Sequence, residues 1–285
     1  MYKLVFLLAV VGCGQAFFFG GPAWDGLAVT WGPNPFNGNY FDQMPRTEKD
    51  AKKKGWTKIS GCDEVLSESS GDGSPVFLGN RYVKGNDPAV MLLYDKNGYI
   101  AGIQQGIPKS ENYPTADETY GKVFQFDPEK NLMVQTAYFV PPQTICSEGR
   151  TSEQYDKDGT GSNLYLQEGP DPVADSTMIP REEKDIGAKW TKGKCFFTMG
   201  QHYWYDTSLE MSCDDFYPAF LLYNKGKLNG FGWALNHELK SFRYERPPNN
   251  ELDKFFQVVP KCLYNTGARS TMHIYMDNHP MVNFC

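Results

Sequence analysis

The chain has 285 residues, a net charge of -6 at neutral pH and an isoelectric point near 5.3. Nucleic-acid binding needs a basic face to neutralise phosphates, yet the one basic run, Lys49 to Lys54, is interrupted by Asp50 and Ala51 and reads as a solvated helix face. No stretch approaches the roughly 20 apolar residues of a membrane-spanning helix, so neither a nucleic-acid partner nor a membrane span is expected.

Residues 1–16 have the make-up of a secretory signal: Lys3, the apolar run Leu4 to Val11, then a small-residue cleavage pattern at Gly14-Gln15-Ala16. Residues 17–44 mix Gly, Pro and Asn with Phe17, Phe18, Phe19, Trp24, Trp31, Phe36, Tyr40 and Phe41. Turn residues argue against long elements and the aromatics against disorder, so this segment is expected to pack as a strap across the domains.

The rest of the chain contains one pattern twice, at 45–146 and 180–285. Pro45-Arg46-Thr47-Glu48-Lys49-Asp50, leading to Trp56-Thr57-Lys58 and Cys62, returns as Pro180-Arg181-Glu182-Glu183-Lys184-Asp185, leading to Trp190-Thr191-Lys192 and Cys195. Leu92-Leu93-Tyr94-Asp95-Lys96 returns as Leu221-Leu222-Tyr223-Asn224-Lys225, and Val123-Phe124-Gln125 as Phe255-Phe256-Gln257. Each charged opening predicts a short helix, proline being tolerated in the first turn. Strands at Ala89 to Tyr94 and Tyr99 to Ile103 flank Asn97-Gly98, which predicts a type I′ hairpin. The second copy, Ala219 to Tyr223 and Lys227 to Trp233, has a loop one residue shorter, and last strands are predicted at Leu132 to Val140 and Thr271 to His279. Between the copies, 147–179 has linker composition, with one short strand signal at Leu164-Tyr165-Leu166. The expected fold is α+β: two tandem, internally duplicated antiparallel-sheet modules, with enough apolar content for both to bury sizeable cores.

Once Cys13 leaves with the signal, Cys62, Cys146, Cys195, Cys213, Cys262 and Cys285 remain, an even set suited to disulfides in an oxidising compartment. If the copies share a fold, Cys62 pairs with Cys146 and Cys195 with Cys285, leaving Cys213 to Cys262 inside the second copy.

Differences between the copies are the place to look for chemistry. All four histidines fall in the second, and His202 replaces Arg81 in the matched strings Gly200-Gln201-His202-Tyr203 and Gly79-Asn80-Arg81-Tyr82. Anchoring the last strands on their terminal cysteines sets Val134, Thr136, Tyr138 and Val140 against His273, Tyr275, Asp277 and His279, one face of a strand by period-two alternation. Catalytic candidates are therefore His202, Asp277 and His279. Trp204 and Trp233 have no tryptophan counterpart and, with Tyr203, Tyr275 and His273, are the ligand-binding candidates, whereas Trp56 and Trp190 recur and read as core. Asp156, Asp158 and Thr160 stand at the first, third and fifth positions of an EF-hand-like run, although Gln167 at the twelfth lacks the carboxylate. No cofactor is expected; calcium or a transition metal is the alternative. No nucleophile elbow, zinc-protease helix, P-loop or dinucleotide fingerprint occurs.

The strings Gly79-Asn80-Arg81-Tyr82-Val83, Asp87-Pro88-Ala89-Val90-Met91-Leu92-Leu93-Tyr94-Asp95, Gly98-Tyr99-Ile100-Ala101-Gly102 and Thr136-Ala137-Tyr138-Phe139-Val140 resemble those of an uncharacterised secreted protein family of invertebrate animals. The resemblance implies secretion and an animal setting, and no activity. The leading expectation is a secreted, non-enzymatic extracellular binding protein for a small molecule, glycan or protein partner, its ligand between the modules or on the divergent face of the second. The alternative is a secreted hydrolase or oxygen-using enzyme with its site in that module.

Overall fold

The computed structural model describes residues 24–30, 41–65, 75–113 and 121–285. The expected signal at 1–16, with Cys13, and much of the strap, including Trp31, Phe36 and Tyr40, lie outside the described residues.

In chain order the strands are β1 (Ala28–Thr30), β2 (Phe41–Gln43), β3 (Trp56–Ser60), β4 (Asn80–Lys84), β5 (Asp87–Tyr94), β6 (Ile100–Pro108), β7 (Gln125–Asp127), β8 (Leu132–Tyr138), β9 (Leu164–Gln167), β10 (Ser176–Ile179), β11 (Trp190–Phe196), β12 (Gly200–Tyr205), β13 (Ala219–Asn224), β14 (Lys227–Leu235) and β15 (Ser270–Tyr275). They form two antiparallel sheets which, with a few short helices, make an α+β protein of two sheet modules. One sheet runs β10-β9-β8-β6-β5-β4-β3, with β7 also on β8; the other runs β2-β1-β15-β14-β13-β12-β11. The two orders match strand for strand.

The outermost hairpins are exchanged. β1 and β2 precede the first module in the chain but extend the second module's sheet through β15, and β9 and β10 precede the second module but extend the first module's sheet through β8. The segments cross at a parallel bridge between Trp24 and Gly159, where the Thr160 amide donates to the Trp24 carbonyl at 2.8 Å. Residues 147–179 therefore supply strands as well as a connection.

Alternation along each strand sends side chains to both faces, and both are covered. Val90, Leu92 and Tyr94 of β5 meet Leu221 and Tyr223 of β13 and Phe231 and Trp233 of β14 in a core shared by the two sheets, joined by Trp24, Leu27 and Val29. The modules thus bury one common core where one apiece was expected, because each sheet's inner face has the other as its cover. On the outer faces, Leu93 and Tyr138 pack with Phe77 and Ile145, while Phe220, Leu222 and Tyr275 pack beneath the turns Asn249–Lys254 and Lys261–Tyr264.

Local chemistry sets where the copies differ. Thr47 caps the helix Glu48–Lys53 by accepting from the Asp50 amide, but Glu182 makes no side-chain cap and the second opening forms only a 3-10 turn, Glu183–Asp185. Between β5 and β6, φ is positive at Gly98 alone, the Gly98 amide donates to the Asp95 carbonyl, and the Asp95 amide donates to the Tyr99 carbonyl. That is a turn followed by a glycine bulge rather than the expected type I′. The type I′ signature, positive φ at both central residues, falls on Lys225 and Gly226 in the shorter loop of the second copy.

All three disulfides predicted by the duplication form, with Cα separations of 5.2 Å for Cys62–Cys146, 5.9 Å for Cys195–Cys285 and 5.5 Å for Cys213–Cys262. Among the described residues no helix is long and apolar enough to cross a membrane.

Candidate functional site

The sheets differ most on their outer faces. Gly102 lies opposite Tyr138 and its counterpart Gly230 opposite Tyr275, so His273 corresponds to Thr136 and Tyr275 to Tyr138. This corrects the cysteine-anchored register by two residues, because the second copy has two more residues between its last strand and its cysteine. In the first module the face is filled by a polar chain. Arg81 meets Asp127 at 2.6 Å, Arg81 Nη1 donates to Gln104 Oε1 at 3.1 Å, and Gln104 Nε2 donates to Thr136 Oγ1 at 2.8 Å. The same three sheet positions in the second module hold His202, Gly232 and His273. A Cβ at Gly232 would lie 2.2 Å from the Phe220 ring, so the missing side chain is what lets that ring settle against both histidines.

Both imidazoles are buried, His202 at 1% and His273 at 4% exposure, with ring centroids 5.8 Å apart. His202 Nδ1 lies 3.2 Å from the Lys194 carbonyl oxygen, and His273 Nδ1 lies 2.6 Å from Glu245 Oε2. An acceptor at Nδ1 places a proton on that nitrogen and turns Nε2 away from the contact. Among the described residues neither Nε2 has a hydrogen-bond partner. Burial, reinforced by His273, pushes the His202 imidazole down to about 3, so it is neutral at physiological pH. Glu245 also accepts from the hydroxyls of Thr30 and Thr271, Thr30 being carried in by the exchanged strand β1. The N-terminal hairpin thus fixes the carboxylate that orients His273.

Above the histidines lies a cavity of about 80 Å³, room for about five waters or a small organic molecule. Its walls are aromatic: Trp204, Phe216, Phe220, Phe255 and Phe256. Trp204 stacks on Phe256 at 4.1 Å between centroids and donates its indole N–H to the Phe255 carbonyl at 3.2 Å. The disulfide peculiar to the second copy ties down this roof. Leu263, beside Cys262, and Phe216, three residues after Cys213, both line the cavity.

His202, His273 and Trp204 are brought together here, and Tyr275 stacks against His273 on the same face. The other candidates are elsewhere. Trp233 and Tyr203 point into the shared core, since neighbours along a strand take opposite faces. Asp277 and His279 lie beyond β15, which ends at Tyr275, and do not line the cavity. Asp277 instead accepts from the His279 amide at 2.9 Å and from the Asn283 and Asn229 amides at 3.2 and 3.4 Å, closing the turn that follows the strand. Burial raises its carboxyl above the ordinary value, with those amides opposing the shift. The calcium reading also fails on geometry. Asp156 and Asp158 belong to the helix Ser152–Asp158, capped by Thr151 and Gln154, and the Thr160 hydroxyl is buried and spent on the Gly26 carbonyl. Among the described residues no group of three or more His, Cys, Asp or Glu side chains is placed to hold a metal.

Glu245, Phe220 and Arg269 line the cavity without having been singled out from the sequence. Glu245 and Arg269 sit in stretches that are longer in the second copy, where no counterpart gives contrast. The available signal was the extra cysteine pair, which marks the added cover. No known protein family, curated protein or solved structure matches the chain.

Proposed function

We propose that the protein is a secreted extracellular binding protein that takes a small, largely apolar ligand into the outer-face cavity of its second module. The observation that carries this reading is the pair of buried imidazole Nε2 atoms without partners, set in an aromatic wall. A buried polar atom left unsatisfied is costly, and an aromatic cavity with a few convergent polar groups is the usual form of a small-molecule site. A cavity of this size, about 80 Å³, supports a small molecule over a glycan or a protein. Secretion is supported by the signal-like residues 1–16 together with three disulfides.

Native mass spectrometry of the protein from its own secretion tests the reading. A co-purified small molecule is expected on the natural chain and absent from Trp204→Ala, which opens the wall. A bare natural chain with intact disulfides, showing no uptake from a panel of apolar compounds, would refute it.

The His273–Glu245 contact favours one second reading. A carboxylate that orients an imidazole is how a general base is held, which supports a secreted hydrolase or oxygen-using enzyme. His273→Gln separates the two: an enzyme loses turnover and keeps ligand, whereas a binding protein has no turnover to lose.

A further inference from the structure

Arg269 is left over by the histidine reading. Arg81, Arg150 and Arg243, the other buried arginines among the described residues, each face a carboxylate, Asp127 at 2.6 Å, Asp95 at 3.4 Å and Asp87 at 3.3 Å. Arg269 is equally buried, at 4% exposure, and among the described residues no carboxylate pairs with it. Its Nη2 donates to the Leu263 carbonyl at 2.7 Å and to Thr266 Oγ1 at 3.1 Å, while Nε and Nη1 are buried and meet no acceptor. Burial alone pulls the guanidinium below its ordinary value, no neighbouring charge opposing it.

Arg269 lines the same aromatic cavity as His202 and Trp204. The carboxylates that share the lining are already engaged, Glu245 by two hydroxyls and His273, and Glu251 by Lys254 at 2.8 Å. A buried cation without a partner is strongly unfavourable, and guanidinium N–H groups are matched to carboxylate oxygens. The missing counter-charge is a single negative one, and the space beside it is apolar. Phosphate-like dianions fit poorly, since a second charge would stand unpaired near Glu245 and Glu251.

Resting on the binding reading above, we propose that the ligand of this cavity is a small apolar carboxylic acid, held as its carboxylate by the unsatisfied N–H groups of Arg269 with its hydrocarbon part against Trp204, Phe220 and Phe256. The acid supplies the ion-pair partner that the fold omits.

The test titrates the disulfide-intact full chain with propanoate and with butanoate, small enough for a cavity of about 80 Å³, each beside its methyl ester, following tryptophan fluorescence and calorimetry. At least one acid is expected to bind about tenfold or more tighter than its ester. Arg269→Gln is expected to weaken that acid about 30-fold or more, to leave its ester within about threefold, and to melt cooperatively. Arg269→Lys, which keeps the charge without the fork, falls between. Should the variants not fold, the acid-to-ester ratio on the natural chain decides alone. Esters that bind as well as their acids would overturn the carboxylate assignment and keep the apolar cavity. No binding by any of the four probes would overturn both readings.

Discussion

At residue scale, the exchange of Arg81 for His202 turns a buried ion pair into a buried neutral base. The consequence is a dependence on pH. His202 falls to about 3 in the folded chain from an ordinary 6.5, so the unfolded chain takes up the proton first as pH drops. Its contribution to stability is whole above about pH 6.5 and is lost progressively toward pH 3. At pH 5 the loss is on the order of 2 kcal/mol. Thermal melts at pH 7.5 and pH 5 are expected to differ less for His202→Gln than for the natural chain, and an equal difference would remove His202 from the account. The two unmatched tryptophans part in the same way. Trp204→Ala is expected to lose ligand, whereas Trp233→Ala, in the common core, is expected to cost about 3 to 5 kcal/mol in denaturant titration. Sequence comparison of the copies found His202, His273 and Trp204 because each has a counterpart of different chemistry. It could not separate Trp204 from Trp233, since being unmatched says nothing about which face of a strand a side chain takes. Nor could it find Arg269, whose significance lies in a carboxylate that is not beside it.

Elements were legible where the signal is local. The paired strands either side of Asp95 and Asn224 follow from continuous apolar runs, but the turn chemistry did not follow from Asn-Gly. In the first copy the buried Asp95 side chain accepts from the Asn97 and Tyr99 amides at 3.0 and 3.1 Å and holds a longer loop. Strand ends were overrun for a related reason: Asp277 and His279 keep the alternating pattern after the ladder has stopped. The added bridge of the second copy belongs to the same scale. Replacing Cys213 and Cys262 with serine opens a loop of sequence separation 49, costing about 4 kcal/mol in the chain-entropy model. Because Phe216 and Leu263 roof the cavity, that variant is also expected to bind ligand more weakly at temperatures where it is folded. Unchanged affinity would detach the bridge from the site.

For the whole molecule, the exchanged hairpins and the common core make the two modules one cooperative unit. Residues 24–146 alone lack the strands that extend their sheet, and so do residues 159–285. Each fragment would also expose the inner face that the other covers. Expressed separately, the halves are expected to show no cooperative melt; expressed together, they are expected to associate and recover one transition in circular dichroism. A cooperative transition from either half alone would show that its sheet is self-sufficient. The duplication was readable as a repeat, but the crossing was not. A strand carries no mark of which of two similar sheets it will join.

That crossing bears on descent. A chain of one repeat that kept this crossing would complete its sheet by trading hairpins with an identical chain, a two-fold pair whose halves would change together with every mutation. Joining the two copies end to end keeps the trade and lifts the symmetry. One sheet could then retain the Arg81–Asp127 pair that seals its outer face, while the other gave up its seal for two histidines and a glycine. If the crossing came first, a lone repeat expressed by itself is expected to pair as a dimer with two like faces, and analytical ultracentrifugation showing a folded monomer would refute that order of events.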